Sequence, residues 1–239
     1  MCIRDRGQGE DFLMFGSIAE QIPLFFNYHN LVFIGQAMLR TLGMTLIGCG
    51  VGFVAGLLIA VLRQSTLVWL APLRAVAILY VELFRRIPFL VILFVVLFVI
   101  EPLIPGASLF AIATVSVCLL STAFLSEVIR AGLESVPEQQ IEGARALNMN
   151  PLQILTMVRL PQSWRVVLPP AAAFVVMFVK DTSLASQLGV IELTFAGKML
   201  VNRGFSPLLG FGAILVCYFA LSYPLSKFAA YLEKRLESS

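Results

Sequence analysis

The chain has 239 residues, of which 59% are hydrophobic and 13% charged, and its mean hydropathy is +0.91. A soluble domain of this length needs far more charge to cover its surface, so the composition excludes an ordinary water-soluble protein and indicates lipid as the main solvent. The formal net charge of +3 is small, and we expect no nucleic-acid partner.

Residue types that bind metal ions or perform catalysis are sparse. The four cysteines are scattered without a C-x-x-C pair, and the single histidine, His29, cannot build a metal site alone. The sequence also lacks the H-E-x-x-H and G-x-S-x-G motifs that an intramembrane enzyme could use. We therefore predict no metal site, no catalytic residues and no cofactor bound by this chain.

The N-terminal part, residues 1–30, is predicted to be a polar or interfacial segment. It lacks the basic start, apolar core and small-residue cleavage site of a signal peptide. Residues 1–11 are polar and fit nothing downstream, so we interpret them as a non-native or mis-assembled leader. The membrane domain is expected to occupy residues 31–236.

Apolar stretches long enough to cross a membrane, which takes about 20 residues, follow in chain order. They are residues 41–62, 88–104, 108–126, 166–190 and 207–226. Residues 67–84 are apolar too, but the charges of Arg74 and Glu82 favour a helix at the interface, or a kinked lead into the second span, over a sixth span. The predicted fold class is an all-α polytopic membrane protein with about five transmembrane helices.

The first span carries glycines at a spacing of four. Gly48, Gly52 and Gly56 fall on one face of a helix, where small residues let a second helix approach closely. We predict a helix-packing face here, although glycine is also simply common in membrane helices.

Basic residues predict the orientation of the spans, because cytoplasmic connections carry an excess of lysine and arginine. The connections after spans one, three and five hold Arg63, Arg74, Arg85, Arg86, Arg130, Arg145, Arg159, Arg165, Lys234 and Arg235. The alternate connections hold only Arg40, Lys198 and Arg203. We therefore expect a multi-pass protein with its N-terminus outside and its C-terminus in the cytoplasm.

The connection between spans three and four is too polar to span and too long for a plain loop. A helix start is predicted at Ser135-Val-Pro-Glu138, which combines a capping box with a proline in the first turn. Asn148 is a plausible left-handed terminator for this helix.

A second helix start is predicted at Asn150, which is followed by Pro151 and Gln153. This helix is expected to stop near Leu160-Pro161. Residues 134–161 are thus predicted to form a cytoplasmic two-helix segment between spans three and four, which could dock on a soluble partner or serve only as a structural loop.

The segment Glu142-Gly-Ala-Arg-Ala-Leu-Asn148, followed by Val158-Arg-Leu-Pro161, resembles the E-A-A…G…I-x-L-P motif of ABC importer permeases. The departures are Gly143 at the second alanine-type position, Asn148 at the motif glycine and Val158 at the isoleucine. Further runs resemble the polar-amino-acid branch of that family: Val81-Glu-Leu-Phe-Arg-Arg-Ile-Pro88, Ser126-Glu-Val-Ile-Arg-Ala-Gly132, Leu168-Pro-Pro170 and Lys180-Asp-Thr-Ser-Leu184. The likeness extends over residues 41–236.

The resemblance implies a permease subunit of an ATP-driven importer of polar amino acids in the bacterial inner membrane, without enzymatic activity of its own. In this family the permease pairs with a second copy or a paralogue. Each docks its coupling helices into an ATPase subunit, and a periplasmic or tethered binding protein delivers the amino acid. ATP and magnesium are expected on the separate ATPase, because this chain contains no G-x-x-x-x-G-K-[ST] motif.

Residues predicted to contact the ATPase lie in the motif. They are Glu142, Gly143, Ala144, Arg145, Ala146, Leu147, Asn148 and Pro151. The small residues allow close approach, and Glu142 and Arg145 can pair across the interface.

Lys180 and Asp181 are ionisable groups inside the fourth predicted span, and Thr182 and Ser183 continue the polar stretch. Such groups are costly in lipid and usually face a polar cavity or each other. We predict that the four residues line the path of a zwitterionic solute, with an internal ion pair between Lys180 and Asp181 as the alternative.

Two other functions remain open from the sequence. One is an importer permease for another small polar solute. The other is a self-contained channel or secondary carrier, although carriers usually show two related halves and no internal repeat is visible here.

Overall fold

The computed structural model describes residues 20–65 and 67–237, so the predicted leader at residues 1–11 lies outside the described residues. The regular elements of the described part are all helical. The main helices are α1 (Tyr28–Gln64), α2 (Ala71–Arg86), α3 (Phe89–Leu103), α4 (Leu109–Glu134), α5 (Glu138–Ala146), α6 (Leu160–Asp181), α7 (Leu193–Asn202) and α8 (Pro207–Glu237).

Short helical elements extend several of these helices. A 3-10 helix, Val68–Leu70, precedes α2. A short α-helical turn, Pro151–Gln153, and a π-helical stretch, Ile154–Arg159, lead directly into α6, and the 3-10 helix Thr182–Leu188 follows it. Residues 151–188 therefore form one continuous helical segment.

Within the described residues, four helical segments are individually long and apolar enough to cross a membrane. They are Tyr28–Gln64, Leu109–Glu134, Pro151–Leu188 and Pro207–Leu236. A fifth span is obtained when the bent pair Val68–Arg86 and Phe89–Leu103 is counted as one. The predicted all-α polytopic fold with about five spans is confirmed.

The second span is broken where Pro88 follows α2. Because a residue before proline avoids the helical conformation, Ile87 is extended, with φ of −90° and ψ of 136°. The helices on either side are bent by 120°. Residues 67–84 therefore do not continue the direction of the second span, in line with the prediction of an interfacial helix or a kinked lead.

Two helical segments extend beyond their predicted bounds: α1 at its start, and the second helix of the two-helix segment at its end. Helix α1 begins at Tyr28, well before the predicted start at residue 41, because Arg40 interrupts the apolar pattern but not the helix. The predicted helix stop near Leu160-Pro161 is wrong. The Leu160 N–H donates to the Leu155 carbonyl, five residues back, so a π-helical turn carries the chain past Pro161 without a break.

Helices α1 and α4 pack closely at the predicted glycine face. A Cβ atom on Gly48 would collide with Val117, and one on Gly56 would lie 2.9 Å from the backbone nitrogen of Ser126. The Ser121 hydroxyl donates to the Gly48 carbonyl at 2.7 Å. Gly52 faces Ser121 in the same contact. Glycine is needed here because the two backbones approach within a side chain's width.

Two apolar clusters hold the remaining helices to this pair. One joins α3, α4 and α6 around the fully buried Leu93, Val117 and Phe178. The other joins the first part of α1 to α7 and α8, with Leu200 and Ile214 at its centre. The two-helix segment projects from one end of this bundle, between α4 and α6.

Candidate functional site

The two-helix segment, residues 134–161, is built around a small apolar core. Its buried members are Val136, Ile141, Ala144 and Ile154. This core is separate from the clusters inside the bundle. The segment therefore has a core of its own, apart from the bundle.

The start of α5 differs from the prediction. The helix begins at Glu138 with Pro137 at the N-cap position, and no side chain caps it. The Ser135 hydroxyl instead donates to the Gly132 carbonyl at 2.7 Å. The predicted capping box at Ser135 is wrong because α4 extends to Glu134, so Ser135 serves the end of α4.

The turn between the two helices matches the sequence signals. Asn148 has a φ of 58°, which makes it the one non-glycine residue with positive φ in the described ranges. The Asn150 side chain accepts from the Gln153 N–H at 2.8 Å, and the Gln153 side chain accepts from the Asn150 N–H at 2.9 Å. This reciprocal capping box sets the direction of the second helix.

Most of the residues predicted to contact an ATPase lie on the outer surface of this segment. Exposed members are Glu142, Gly143, Arg145, Ala146, Leu147, Asn148 and Pro151. A Cβ atom on Gly143 would meet nothing within 4 Å, so the space above this glycine is open. Ala144 differs from the prediction: it is buried in the segment's own core because it shares the inward face of α5 with Ile141, three residues earlier.

Two features of the segment were not expected from the sequence, an ion pair and an exposed apolar surface. Arg145 pairs with Glu138 of the same helix, at 3.2 Å, and its pairing across an interface stays a prediction. Leu152 and Met157 are 67% and 66% exposed and, with Leu147, give the segment an apolar part of its surface. Their position could have been found from the second helix's own periodicity, because Ile154 takes the buried side.

The segment is tied to the bundle through Arg159. Its Nη1 atom donates to Oε1 of Gln64, at the end of α1, at 2.8 Å. The Nε of Arg159 and the Nε2 of Gln64 are buried without a hydrogen-bond partner. Movement of the segment would therefore act directly on α1 as well as on α6.

A cluster of charges links three helices near the same end of the bundle. Glu127 of α4 lies 2.7 Å from Arg63 of α1 and 3.8 Å from Arg85 of α2, and it also pairs with Arg130. The pair with Arg130 is local, since the two residues are three positions apart on α4. The contact with Arg63 spans 64 positions in the chain and has no local signal.

The four residues predicted to line a solute path do not all face one space. Lys180 is exposed, Asp181 and Ser183 are half-buried, and Thr182 is buried with its hydroxyl donating to the Val179 carbonyl at 2.8 Å. In the described part of the chain, Lys180 and Asp181 form no ion pair.

Lys180 continues a face of α6 that borders an open groove against α8. The groove has a volume of about 410 Å³, and Pro170, Ala173 and Val176 line its α6 side. Ala173 and Val176 precede Lys180 by seven and four residues, which places all three on one helix face. Ser226, Ala229 and Glu233 of α8 line the opposite side of the groove.

A buried acid, Glu192, was missed by the sequence interpretation. It is 0% exposed and caps α7, accepting from the N–H groups of Thr194 and Phe195 at 2.9 and 2.8 Å. The Tyr218 hydroxyl of α8 donates to the same carboxylate at 2.9 Å. An acidic residue directly before a helical pattern is the local signal that could have found it.

Comparison with known proteins identifies the family of this arrangement. The family model described as binding-protein-dependent transport system inner membrane component matches residues 52–238, which include the two-helix segment and the last three main helices. The chain belongs to this family. As a family member, it is a membrane-embedded permease subunit of a transport system.

Individual relatives of this permease are similar over nearly their whole length. The probable glutamine ABC transporter permease protein GlnP of Bacillus subtilis is 31% identical over 215 residues, 88% of this chain and 96% of the relative. The L-cystine transport system permease protein TcyB of the same organism is 31% identical over 198 residues, covering 82% and 83% of the two chains.

Solved structures share the fold of the permease. A chain of an amino acid ABC transporter crystallised with histidines matches with a TM-score of 0.78 and 24% identity, covering 87% of this chain and 98% of that one. A chain of the inward-facing MetNI methionine ABC transporter matches with a TM-score of 0.77 and 21% identity, covering 88% and 99%.

Proposed function

We propose that this permease carries a polar amino acid across the bacterial inner membrane as one subunit of an ATP-driven importer. It pairs with a second permease copy or a paralogue, receives the amino acid from a periplasmic or tethered binding protein, and docks on an ATPase subunit that holds ATP and magnesium. The N-terminus lies outside and the C-terminus in the cytoplasm. The family membership and the names of relatives that handle glutamine and cystine support this proposal.

The observation that carries the proposal is the exposed ridge of the two-helix segment. Gly143, Ala146 and Leu147 are exposed. Ala144 and Ile154 are buried in the core beneath them. The open space above Gly143 lets a partner's atoms approach the backbone of α5. A small, rigid and partly apolar ridge suits docking into a cleft on another protein.

Lys180, Asp181, Thr182 and Ser183 are proposed to lie along the solute path. The ammonium of Lys180 can attract the carboxylate of an amino acid, and the carboxylate of Asp181 can attract its ammonium group. Lys180 is exposed and lies one helical turn beyond Val176, which lines the open groove between α6 and α8. A second permease copy on this face would enclose the path, which supports a dimer.

The test of the ATPase contact replaces each of two glycines that have free space around them by tryptophan. Gly143→Trp blocks the ridge, whereas Gly50→Trp adds the same side chain on an exposed face of α1, where nothing lies within 4 Å. The tagged chain is purified from membranes with its partners, and ATP-dependent uptake of radiolabelled glutamine is measured in proteoliposomes.

Gly143→Trp is expected to lose the co-purifying ATPase or to hydrolyse ATP without uptake, while Gly50→Trp retains both. Normal uptake by Gly143→Trp would refute the proposed contact. Uptake that needs no ATP would indicate a channel or carrier instead. Competition by a panel of unlabelled solutes distinguishes a polar amino acid from another small polar solute.

A further inference from the structure

An apolar cleft lies on the outside of the bundle between α1, α2 and α4. Its volume is about 500 Å³, and Val51 and Ala55 of α1, Leu73 and Val76 of α2 and Val115 of α4 are among its lining residues. Helix α2, which is bent by 120° relative to α3, forms one wall of the cleft.

The hydroxyl groups in the cleft are already used within the chain. Tyr80 donates to the Leu119 carbonyl, and Thr122 donates to the Cys118 carbonyl at 2.7 Å. A polar solute would find few hydrogen-bonding groups here. The chemistry of the lining instead favours a hydrocarbon chain, whose burial requires only apolar contact.

The length of the cleft fits one half of a bilayer. Its α1 side runs from Val51 to Leu62, which at about 1.5 Å per residue corresponds to roughly 16 Å. One leaflet of a hydrocarbon core about 30 Å thick has a depth of about 15 Å. An extended acyl chain lying along α1 therefore matches the cleft in both character and length.

The mouth of the cleft is basic. Leu62 is followed by Arg63, and Leu73 is followed by Arg74. Arg63 is used in the pair with Glu127. Arg74 is half-buried and donates through Nη1 to the Ser65 carbonyl, which holds its guanidinium at the end of α1. A guanidinium has five N–H donors, so Arg74 retains donors for a phosphate.

The elements beside the mouth have the composition of a membrane-interface anchor. Val68 and Trp69 are 82% and 87% exposed, and Leu79 on the outer face of α2 is 67% exposed. Trp at the level of the headgroups, with arginine nearby and leucine turned to the acyl chains, is typical of helices that lie in the interface plane. The cleft thus opens where phospholipid headgroups meet acyl chains.

We propose that this cleft binds an anionic phospholipid, with one acyl chain along α1 and the phosphate on Arg74. The three supporting observations are the apolar lining, the match of its length to one leaflet and the arginine at its mouth. This inference is independent of the transported solute. Loss of amino-acid uptake in other variants would leave it untouched.

The test measures bound lipid directly. The full chain is purified in detergent with its partner subunits, mixed with equal amounts of dioleoyl phosphatidylglycerol and dioleoyl phosphatidylcholine, and analysed by native mass spectrometry. The wild-type protein is expected to retain phosphatidylglycerol over phosphatidylcholine by about fivefold, the contribution of one basic residue at an anionic headgroup.

Two variants address the two parts of the site. Arg74→Gln is expected to bring the preference close to one, and Ala55→Phe, which fills the cleft, is expected to remove the retained lipid. Matched controls are Arg86→Gln, whose side chain is 78% exposed at the other end of α2, and Val54→Phe, which faces outward beside Ala55. Val76→Phe fills the cleft from an exposed position if Ala55→Phe does not accumulate.

Equal retention of the two lipids by the wild-type protein, or an unchanged preference in Arg74→Gln, overturns the proposal, since the lipid is then only part of the general lipid shell. A disulfide between Val76→Cys residues of two permease copies in native membranes also overturns it, because the cleft is then covered by a second copy. Selective retention that both site variants lose and both controls keep supports it.

Discussion

Arg159 and Gln64 join the two-helix segment to the first span, with Nη1 of the arginine 2.8 Å from Oε1 of the glutamine. Arg159 sits in the π-helical stretch between the segment and α6. The contact therefore lies where the two-helix segment meets the membrane domain. The π-helical geometry keeps the chain continuous past Pro161, so no loop separates the segment from α6.

The Arg159–Gln64 contact is expected to stabilise the permease. Each side chain is partly buried and already has one unpaired atom, so loss of the contact would leave further buried polar atoms without a partner. Gln64→Leu should lower the free energy of unfolding by about 1–3 kcal/mol by leaving the guanidinium unpaired. The double variant Gln64→Leu/Arg159→Leu should recover part of this loss. Thermal unfolding in detergent measures the stability of both variants. A double variant that is no more stable than Gln64→Leu would contradict the contact.

The glycine face of α1 makes a second prediction with a control on the same helix. Gly56→Ala places a methyl group 2.9 Å from the backbone nitrogen of Ser126 and is expected to cost about 1–3 kcal/mol through overpacking. Gly50→Ala has no neighbour within 4 Å and should instead be neutral or slightly stabilising. The unfolding temperature of Gly56→Ala is compared with that of Gly50→Ala and should be lower. Similar values would exclude close backbone contact at Gly56.

Glu127 is expected to matter more for stability than its position near a helix end suggests. Glu127→Gln leaves Arg63, whose side chain is 12% exposed, without its carboxylate and should cost about 2 kcal/mol or more. Glu82→Gln removes an equal charge from an exposed pair with Arg86 on α2 and should leave the unfolding temperature nearly unchanged. Unfolding should be measured at low and high salt, since the exposed pair is the one that salt screens.

Glu192 is predicted to hold α7 against α8. Glu192→Ala leaves two helix N–H groups and the Tyr218 hydroxyl without their acceptor, and we expect a loss of about 2 kcal/mol or more. Tyr218→Phe removes one of these donors and should cost less. Hydrogen exchange of the amides of Thr194 and Phe195 provides the local measurement. Unchanged protection in Glu192→Ala would show that α7 does not depend on this cap.

Local signals in the sequence predicted much of the candidate site. The capping box of Asn150 and Gln153 and the left-handed turn at Asn148 depend only on neighbours within a few residues, and both are present. The capping box at Ser135 was wrong for a related reason. The same hydroxyl can serve the end of one helix or the start of the next, and the length of α4 decides between them.

The amino-acid sequence alone determined that lipid is the solvent of this chain, that about five spans cross it, and that a polar two-helix motif of a known family separates the third from the fourth. These properties follow from composition, hydrophobic length and short-range spacing. The tertiary structure decided that Ala144 turns inward while Gly143 turns outward, that Pro161 does not end its helix, and that Glu127 meets Arg63. These depend on how whole helices rotate and pack, and contacts between residues 64 positions apart leave no periodic trace in the chain.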